Sequence, residues 1–227
     1  MTSASRATTT ADDMTDAELD GLLPVAVRRV SRVYWTSVAV ARKAAEILGH
    51  LGVRRVLDMG SGPGKFCVVA GARAPCIEFV GIEHRPRLVA IARSLAAEVG
   101  VVNVAFSVGD ATRAAWTDFD AFYVFNSFAE NDLAVDDRFD GTVELSRARH
   151  IAEVTRVARR LATAPVGTVL LTYHGLTGPI PRSYELLHAE AAGAGWMRVW
   201  RKGDAASCGK YWLEEGAEVS AWAARPV

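Results

Sequence analysis

The stretch VLDMGSGPGKF, residues 56–66, places three glycines within five positions directly after a short apolar run. An apolar run that ends in glycines is typical of a strand followed by a tight turn, because glycine adopts backbone angles that a Cβ would forbid. In open α/β sheets such turns lie at the carboxyl ends of the strands, where ligands bind. The stretch therefore predicts a ligand site, with a phosphate, a dinucleotide or a nucleoside as candidates.

Apolar runs and helical segments alternate along most of the chain. The apolar runs predict strands at residues 54–60, 77–83, 104–110, 120–127 and 167–175. Strands separated by helices indicate parallel βαβ units, so the sequence predicts an α/β fold with an open, doubly wound sheet. Near the C-terminus, Pro181 is expected to open a helix that Gly193 closes. The segments WMRVWRKG and KYWLEEGAEVSAW are expected to form a strand pair.

The N-terminal segments differ in composition from the rest of the chain. Residues 1–23 are small, polar and increasingly acidic, which predicts a disordered acidic tail. Residues 24–50 carry apolar side chains at three- and four-residue steps and predict a cap of short helices with a joint at YWT, residues 34–36. Residues 51–227 are expected to form the core, so that residues 24–227 make one domain.

Composition limits the partners and the compartment. Lys and Arg together number 26, and so do Asp and Glu, so no global field favours nucleic acid or an anionic membrane. The three cysteines lack CxxC spacing, which argues against a disulfide framework and against a zinc site. The sequence contains no cluster of Cys and His, so it predicts no other metal site. No apolar run reaches the roughly 18 residues of a membrane span. We expect a cytoplasmic protein without a metal.

The glycine turn does not match either phosphate motif. A Walker A loop ending on Gly64 and Lys65 would place Met59 at its first glycine and Phe66 at its hydroxyl position. A dinucleotide fingerprint would need glycine at position 65, which is lysine. The sequence excludes the first motif and disfavours the second, so an NAD-dependent oxidoreductase is the weaker hypothesis.

Carboxylates at the predicted strand ends favour a nucleoside joined to an amino acid. Glu83 ends the second strand, where a carboxylate can accept hydrogen bonds from both ribose hydroxyls, and Asp110 ends the third, where it can accept from an adenine amino group. Asp58 precedes the glycines and suits a cationic ammonium better than a pyrophosphate. Together these features predict S-adenosylmethionine as the cofactor.

Four segments, VLDMGSGPGKF, VGIEHRP, VGDAT and AFYVFNSF, resemble the successive cofactor motifs of class I S-adenosylmethionine-dependent methyltransferases over about residues 54–175. The resemblance implies a Rossmann-like, mostly parallel, seven-stranded sheet with an antiparallel C-terminal strand. It also implies that the turn and Asp58 hold the methionine part, Glu83 the ribose and Asp110 the adenine. The full set of expected cofactor residues is Asp58, Gly60, Ser61, Gly62, Gly64, Glu83, His84, Gly109, Asp110, Ala111, Asn126, Tyr34 and Thr36.

The methyl acceptor is expected to lie beyond the fourth strand. Asn126 stands where many amino-directed members of the family begin an N-P-P-[YF] motif, and its carbonyl could orient an acceptor amine; Ser127 and Phe128 follow here instead of the prolines. The segments VFNSF and YWTS also show a weaker resemblance to non-SET lysine methyltransferases. The connection 127–141 is acidic and suggests a lid for a cationic acceptor, or a solvated loop. A nitrogen acceptor, on a protein lysine or a small amine, is therefore the preferred hypothesis.

Two alternatives stay open for the same fold. Tyr173 and His174 end the fifth predicted strand, and a histidine near its ordinary pKa could act as base for a small-molecule oxygen acceptor. The missing prolines would also permit a cofactor-binding module without catalysis. The sequence identifies neither the acceptor nor the oligomeric state.

Overall fold

A computed structural model describes residues 11–134, 136, 138–176, 178–204 and 211–212. Its helices are α1 (Asp16–Gly21), α2 (Val25–Arg29), α3 (Ser31–Tyr34), α4 (Val38–His50), α5 (Lys65–Arg73), α6 (Pro86–Val99) and α7 (Arg147–Thr163). Its strands are β1 (Arg55–Met59), β2 (Glu78–Glu83), β3 (Val104–Val108), β4 (Ala121–Phe125), β5 (Val169–Tyr173), β6 (Ile180–Pro181), β7 (Tyr184–Ala192), β8 (Gly195–Lys202) and β9 (Tyr211–Trp212).

Seven of these strands form one sheet in the order β3-β2-β1-β4-β5-β8-β7. The pairs from β3 to β5 are parallel, whereas β8 runs antiparallel to both of its neighbours. The predicted α/β fold, with its mostly parallel seven-stranded sheet and antiparallel C-terminal strand, is confirmed. The order reverses between β1 and β4, so the topological switch point lies where these two strands end.

Apolar side chains on the two faces of the sheet form two core clusters. On one face, α4, α5 and α6 pack through residues such as Leu48, Val68 and Leu88, all buried. On the other face, α7 places Val154, Val157 and Leu161 against the sheet, at the three- and four-residue steps of an amphipathic helix. The central strands are therefore covered on both sides, as in other parallel sheets.

The prediction of a helix from Pro181 to Gly193 is wrong, because strand β7 (Tyr184–Ala192) occupies this segment. Strand β7 pairs with β8 along its length, and the two are joined by a two-residue loop that begins with Gly193 at φ +58°. A glycine at that place suits a tight hairpin turn. The helix-forming composition of YELLHAEAA yields to backbone pairing at the edge of the sheet, where Leu186 and Leu187 remain exposed.

Helical structure begins closer to the N-terminus than the sequence predicts. Helix α1 lies inside residues 1–23, for which the sequence predicts disorder, and that prediction is wrong for the described part. Thr15 and Glu18 form a capping box at its start, and Leu19 is fully buried. The missed signal was this T-x-x-E motif before a leucine. Residues 1–10 lie outside the described chain.

The segment expected to form the cap contains helices α2, α3 and α4. The joint between α3 and α4 covers residues 35–37, one position later than the expected joint at residues 34–36. WMRVWRKG forms most of β8, whereas KYWLEEGAEVSAW lies largely outside the described residues, with only Tyr211–Trp212 pairing with Ile180–Pro181. Within the described ranges, no helix is long and apolar enough to cross a membrane.

Candidate active site

A cavity of about 220 Å³ lies at the switch point, above the carboxyl ends of β1 to β4. The predicted residues that line it are Tyr34, Gly60, Glu83, His84, Asp110, Ala111 and Asn126. A smaller cavity of about 20 Å³ adjoins it and shares Tyr34 and Gly60 with it. Asp58, Ser61 and Thr36 line this second cavity. The structure therefore brings most of the predicted cofactor residues together.

Asp58 is buried at the end of β1. Burial raises the pKa of Asp58 to about 7, the hydrogen bond from Cys67 Sγ at 3.4 Å opposes this shift, and the nearby charge of Glu83 adds to it. A buried carboxylate without a cationic partner gains a proton because the charged form is poorly solvated. An amino-acid ligand supplies an ammonium group, and binding of that group beside Asp58 would favour the ionised carboxylate.

The glycine turn is tied to the second strand. The backbone N–H groups of Gly60 and Ser61 both donate to the carbonyl oxygen of Ile82, at 2.9 and 3.2 Å. Gly62 has φ +55°, and a Cβ on it would lie 2.5 Å from the ring of Trp35. Glycine is thus required there both by its backbone angles and by the close approach of the cap. Gly64 is the residue directly before α5; it packs on Phe106 and lines neither cavity.

Glu83 presents a carboxylate with spare acceptor positions. It is 5% exposed; its Oε2 accepts from the Gly62 N–H at 3.1 Å and its Oε1 from the Arg85 N–H at 2.9 Å. Because each carboxylate oxygen can accept two hydrogen bonds, one position remains on each. These two positions fit a pair of ribose hydroxyls. Gly109 has a structural role, since its N–H donates to the Glu83 backbone carbonyl.

Asp110 caps the 3₁₀ turn that follows β3. Its Oδ1 accepts from Thr112 N and Oγ1, at 2.9 and 2.6 Å, and its Oδ2 accepts from Arg113 and Arg156, both at 3.1 Å. Burial acts to raise the pKa of Asp110, but these hydrogen bonds and the Arg156 charge hold it below its ordinary value. The Asp110 carboxylate is therefore ionised, and its oxygens already accept hydrogen bonds from protein donors.

Asn126 follows β4 in a left-handed backbone conformation, with φ +47°. Asparagine tolerates this region better than most residues. Its backbone carbonyl accepts from the Ala129 N–H at 3.0 Å, and the next residue, Ser127, packs beside Gly60. The turn places Asn126 at the cavity wall between the glycine turn and the loop after β4.

Tyr173 ends β5 and His174 follows it, and neither residue lines the two cavities at the switch point. The Tyr173 hydroxyl donates to the Ala192 carbonyl at 2.8 Å, and the His174 ring packs against Gly195. Phe125 stands beside both rings, with centroids 5.1 and 5.6 Å away, and itself faces the cavities. Burial lowers the pKa of His174. The structure does not bring these two residues into the site.

Arg85 organises the acidic connection and was missed by the sequence reasoning. Its Nε donates to Asp140 at 2.9 Å and its Nη2 donates to both oxygens of Glu130, at 2.9 and 3.0 Å. Glu130 also accepts from the Phe139 N–H at 2.8 Å. The arginine two residues after Glu83 in VGIEHRP was the available signal. Two of the carboxylates expected to attract a cationic acceptor are thus neutralised by the protein itself.

Aromatic rings close the cavity from the cap. Tyr34, Trp35 and Phe139 contact one another, with ring centroids 5.6 to 6.2 Å apart. Beneath them, Thr36 Oγ1 lies 2.9 Å from the hydroxyl of Tyr123, so Thr36 ties the cap to β4. This cluster joins the cap to the acidic connection and covers the site.

The residues present fit an S-adenosyl ligand. The hydroxyl of Ser61 is buried at the small cavity and, within the described chain, has no hydrogen-bond partner. An unpaired buried polar group indicates a missing donor or acceptor. Among the described residues, no group of His, Cys, Asp and Glu could hold a metal.

Comparisons with known proteins agree with this geometry. Residues 53–187 match a family model described as a methyltransferase domain. A demethylmenaquinone methyltransferase from Deinococcus radiodurans is 38% identical over 92 residues, which is 38% of this chain and only 37% of that protein. An RNA methyltransferase from Salinibacter ruber, solved with S-adenosyl-L-homocysteine, superposes with a TM-score of 0.50 at 18% identity, covering 72% of this chain and 92% of that one. Mitomycin 7-O-methyltransferase superposes with a TM-score of 0.55 at 18% identity, and the superposition covers 84% of this chain and 61% of that one. This chain therefore belongs to the class I methyltransferases, which use S-adenosylmethionine as their cofactor.

Proposed function

We propose that the enzyme methylates a small molecule with an apolar body, held in the large cavity beside the cofactor. The observation that carries this proposal is the apolar part of the lining of that cavity, formed by Val33, Tyr34, Trp35, Phe125, Leu133, Val143 and Leu145. Cavities of this kind are typical of small-molecule sites. The D. radiodurans relative, which is named for demethylmenaquinone, supports a small acceptor over its matched segment.

The charge of the loop after β4 supports a neutral acceptor over a lysine side chain. Glu130 and Asp140 are paired with Arg85, and Asp132 lies 3.5 Å from His150. A cationic acceptor would have to compete with these internal partners. The nitrogen acceptor expected from the sequence is retained in the form of a small neutral amine, with a hydroxyl as the alternative. The position of His174 behind Phe125 gives the histidine-base hypothesis less support.

In this proposal the cofactor supplies an electrophilic methyl group, and the chain supplies position and exclusion of water. Asp58 and Ser61 bind the amino-acid part and Glu83 binds the ribose. The side chain of Asn126 accepts a hydrogen bond from the acceptor and orients its lone pair. Tyr34, with its aromatic neighbours, covers the site.

The proposal is tested by following S-adenosylhomocysteine release with a panel of acceptors. The panel contains apolar aromatic amines, phenols and demethylmenaquinone on one side, and a lysine-containing peptide and spermidine on the other. We expect turnover with members of the apolar set and none with the cationic set. Turnover confined to the peptide or to spermidine would contradict the proposal.

Replacing Asn126 by alanine should separate binding from turnover. Asn126 lines the cavity, whereas the N–H groups of the glycine turn are held by Ile82 and Glu83. We therefore expect cofactor affinity within about 3-fold of wild type and kcat at least about 100-fold lower, the size expected for a lost orienting group. Asn126→Gly is the matched control for the left-handed backbone, and it should lose kcat equally. Calorimetry and S-adenosylhomocysteine release measure the two effects. Full turnover by either variant would remove the proposed orienting role.

Cofactor affinity should depend on pH through Asp58. The folded protein holds this proton up to a pKa of about 7, whereas the unfolded chain loses it near 3.8, so the contribution of Asp58 to stability falls as pH rises from about 4 to about 7. Binding of an ammonium group requires the ionised form. We expect calorimetric affinity for S-adenosylhomocysteine to rise by up to about 10-fold per pH unit below 7 and to level off above it. Asp58→Asn should bind weakly with a flat profile; an unchanged steep profile would assign the titration to another group.

A further inference from the structure

Asn131 is one of the residues that line the large cavity, and its amide oxygen is buried and has no partner among the residues that the structure describes. The residue is 5% exposed. Its Nδ2 donates to the Phe128 carbonyl at 3.1 Å and to Glu153 Oε2 at 3.0 Å. Since both partners are acceptors, the nitrogen must face them and the oxygen must face elsewhere. A buried acceptor of this kind indicates a donor on a ligand.

Asn131 lies at the end of the cavity built by the segments after β2 and β3. Its partner Glu153 is on α7 and lies 3.7 Å from Nε2 of His84, the residue that directly follows β2. One turn further along α7, on the same face, Arg156 donates to Asp110 beyond β3. The same helix face thus links the free amide oxygen with both strand ends that the sequence assigns to the nucleoside.

Asp110, the residue expected to accept from the adenine amino group, has no acceptor position left. A carboxylate offers about four lone-pair positions. Thr112 fills two of them through its N–H and hydroxyl, and Arg113 and Arg156 fill the other two. An adenine donor could reach Asp110 only by displacing one of these protein donors.

We propose that the amide oxygen of Asn131 accepts the hydrogen bond from the exocyclic amino group of the cofactor's adenine, while Asp110 shapes the turn beneath it. The inference rests on the proposed cofactor role of this cavity. Glu153 holds the amide in the required orientation by accepting from its nitrogen. A base with an oxo group at that position would set two acceptors against each other, so Asn131 becomes the residue that selects adenine over hypoxanthine.

The experiment compares S-adenosylhomocysteine with S-inosylhomocysteine, in which an oxo group replaces the amino group, by calorimetry on the full chain. Wild type should bind the adenine ligand at least about 10-fold tighter, as expected when a buried acceptor loses its donor. Asn131→Leu should reduce this preference to about 3-fold or less. Asp110→Asn is the matched variant and should keep the wild-type preference. If Asn131→Leu unfolds, as judged by circular dichroism, Asn131→Ser replaces it.

The preference ratio separates recognition from a structural role. If Asn131 only supported the loop, its variants would weaken both ligands equally and the ratio would stay at the wild-type value, which would overturn the inference. Equal affinities in wild type, or a preference lost in Asp110→Asn and kept in the Asn131 variants, would overturn it as well. If the wild-type protein bound neither ligand, the proposal that the cavity binds the cofactor would itself be refuted.

Discussion

Replacement of Glu83 by glutamine should lower the affinity for S-adenosylhomocysteine by at least about 100-fold while the protein stays folded. Each carboxylate oxygen accepts one backbone N–H, from Gly62 or Arg85, and has one position left for a ribose hydroxyl. An amide offers one acceptor oxygen in place of two, and its NH₂ opposes one of the two N–H donors. Hydrogen bonds to a charged group contribute about 1.5–3 kcal/mol each, so the two lost or weakened contacts account for the expected effect.

A glutamate on the same strand provides the control for this result. Glu78 begins β2, at the end of the strand remote from the cavity, and forms an exposed ion pair with Arg55 at 3.0 Å. Such pairs contribute at most about 1 kcal/mol, so Glu78→Gln should bind the cofactor as wild type does. Both variants would be measured by calorimetry, with thermal melts to verify folding. Comparable affinities for Glu83→Gln and Glu78→Gln would refute the ribose assignment.

The switch point and its carboxylates could be predicted because they depend on local sequence. Parallel strands all end at one edge of the sheet, so residues at or just beyond the carboxyl ends of β1, β2 and β4, such as Asp58, Glu83 and Asn126, must come near each other whatever the rest of the chain does. Glycine at 62 carries the same kind of information, since its backbone conformation is set within the turn. These local features were enough to indicate the fold and the cofactor.

The errors concern contacts between segments distant in sequence. The helix-forming run before Gly193 becomes a strand because β8 supplies a partner for its backbone. Asp110 looked free to bind adenine because Arg156, 46 residues away, could not be placed next to it. Lys65 entered the sequence argument only as a residue that breaks the dinucleotide fingerprint. Its two carboxylate partners lie in α1, in a segment whose composition predicts disorder.

Lys65 is the buried cation that links α1 and the N-terminal cap to the core. Its side chain is 3% exposed, and Nζ lies 3.0 Å from Asp16 Oδ1, 2.7 Å from Asp20 Oδ1 and 3.0 Å from Ser31 Oγ. Asp16 also accepts from the Val38 N–H at 3.0 Å, so α1, α3 and α4 all meet at this point. Because Lys65 is the first residue of α5, directly after the glycine turn, the cluster couples α1 and the cap to that turn.

Lys65→Met should therefore destabilise the protein by about 3–5 kcal/mol, since it leaves two carboxylates without their buried cation. For a chain of this size the melting temperature should fall by roughly 10 °C. The second variant, Lys65→Met with Asp20→Asn, should recover part of that loss because it removes the more buried of the two orphaned charges. Thermal and urea unfolding measure all three proteins.

Lys43→Met is the matched lysine control, because Lys43 is half-exposed and its partner Glu190 lies 3.5 Å away. Its effect should stay within about 0.5 kcal/mol. If the two lysine variants melted alike, the cap would be held by apolar packing through Leu19 and Val27 rather than by the ion cluster. A large loss for Lys65→Met with partial recovery in the double variant would instead show that α1 is held by the ion cluster around Lys65, at the start of the helix that follows the glycine turn.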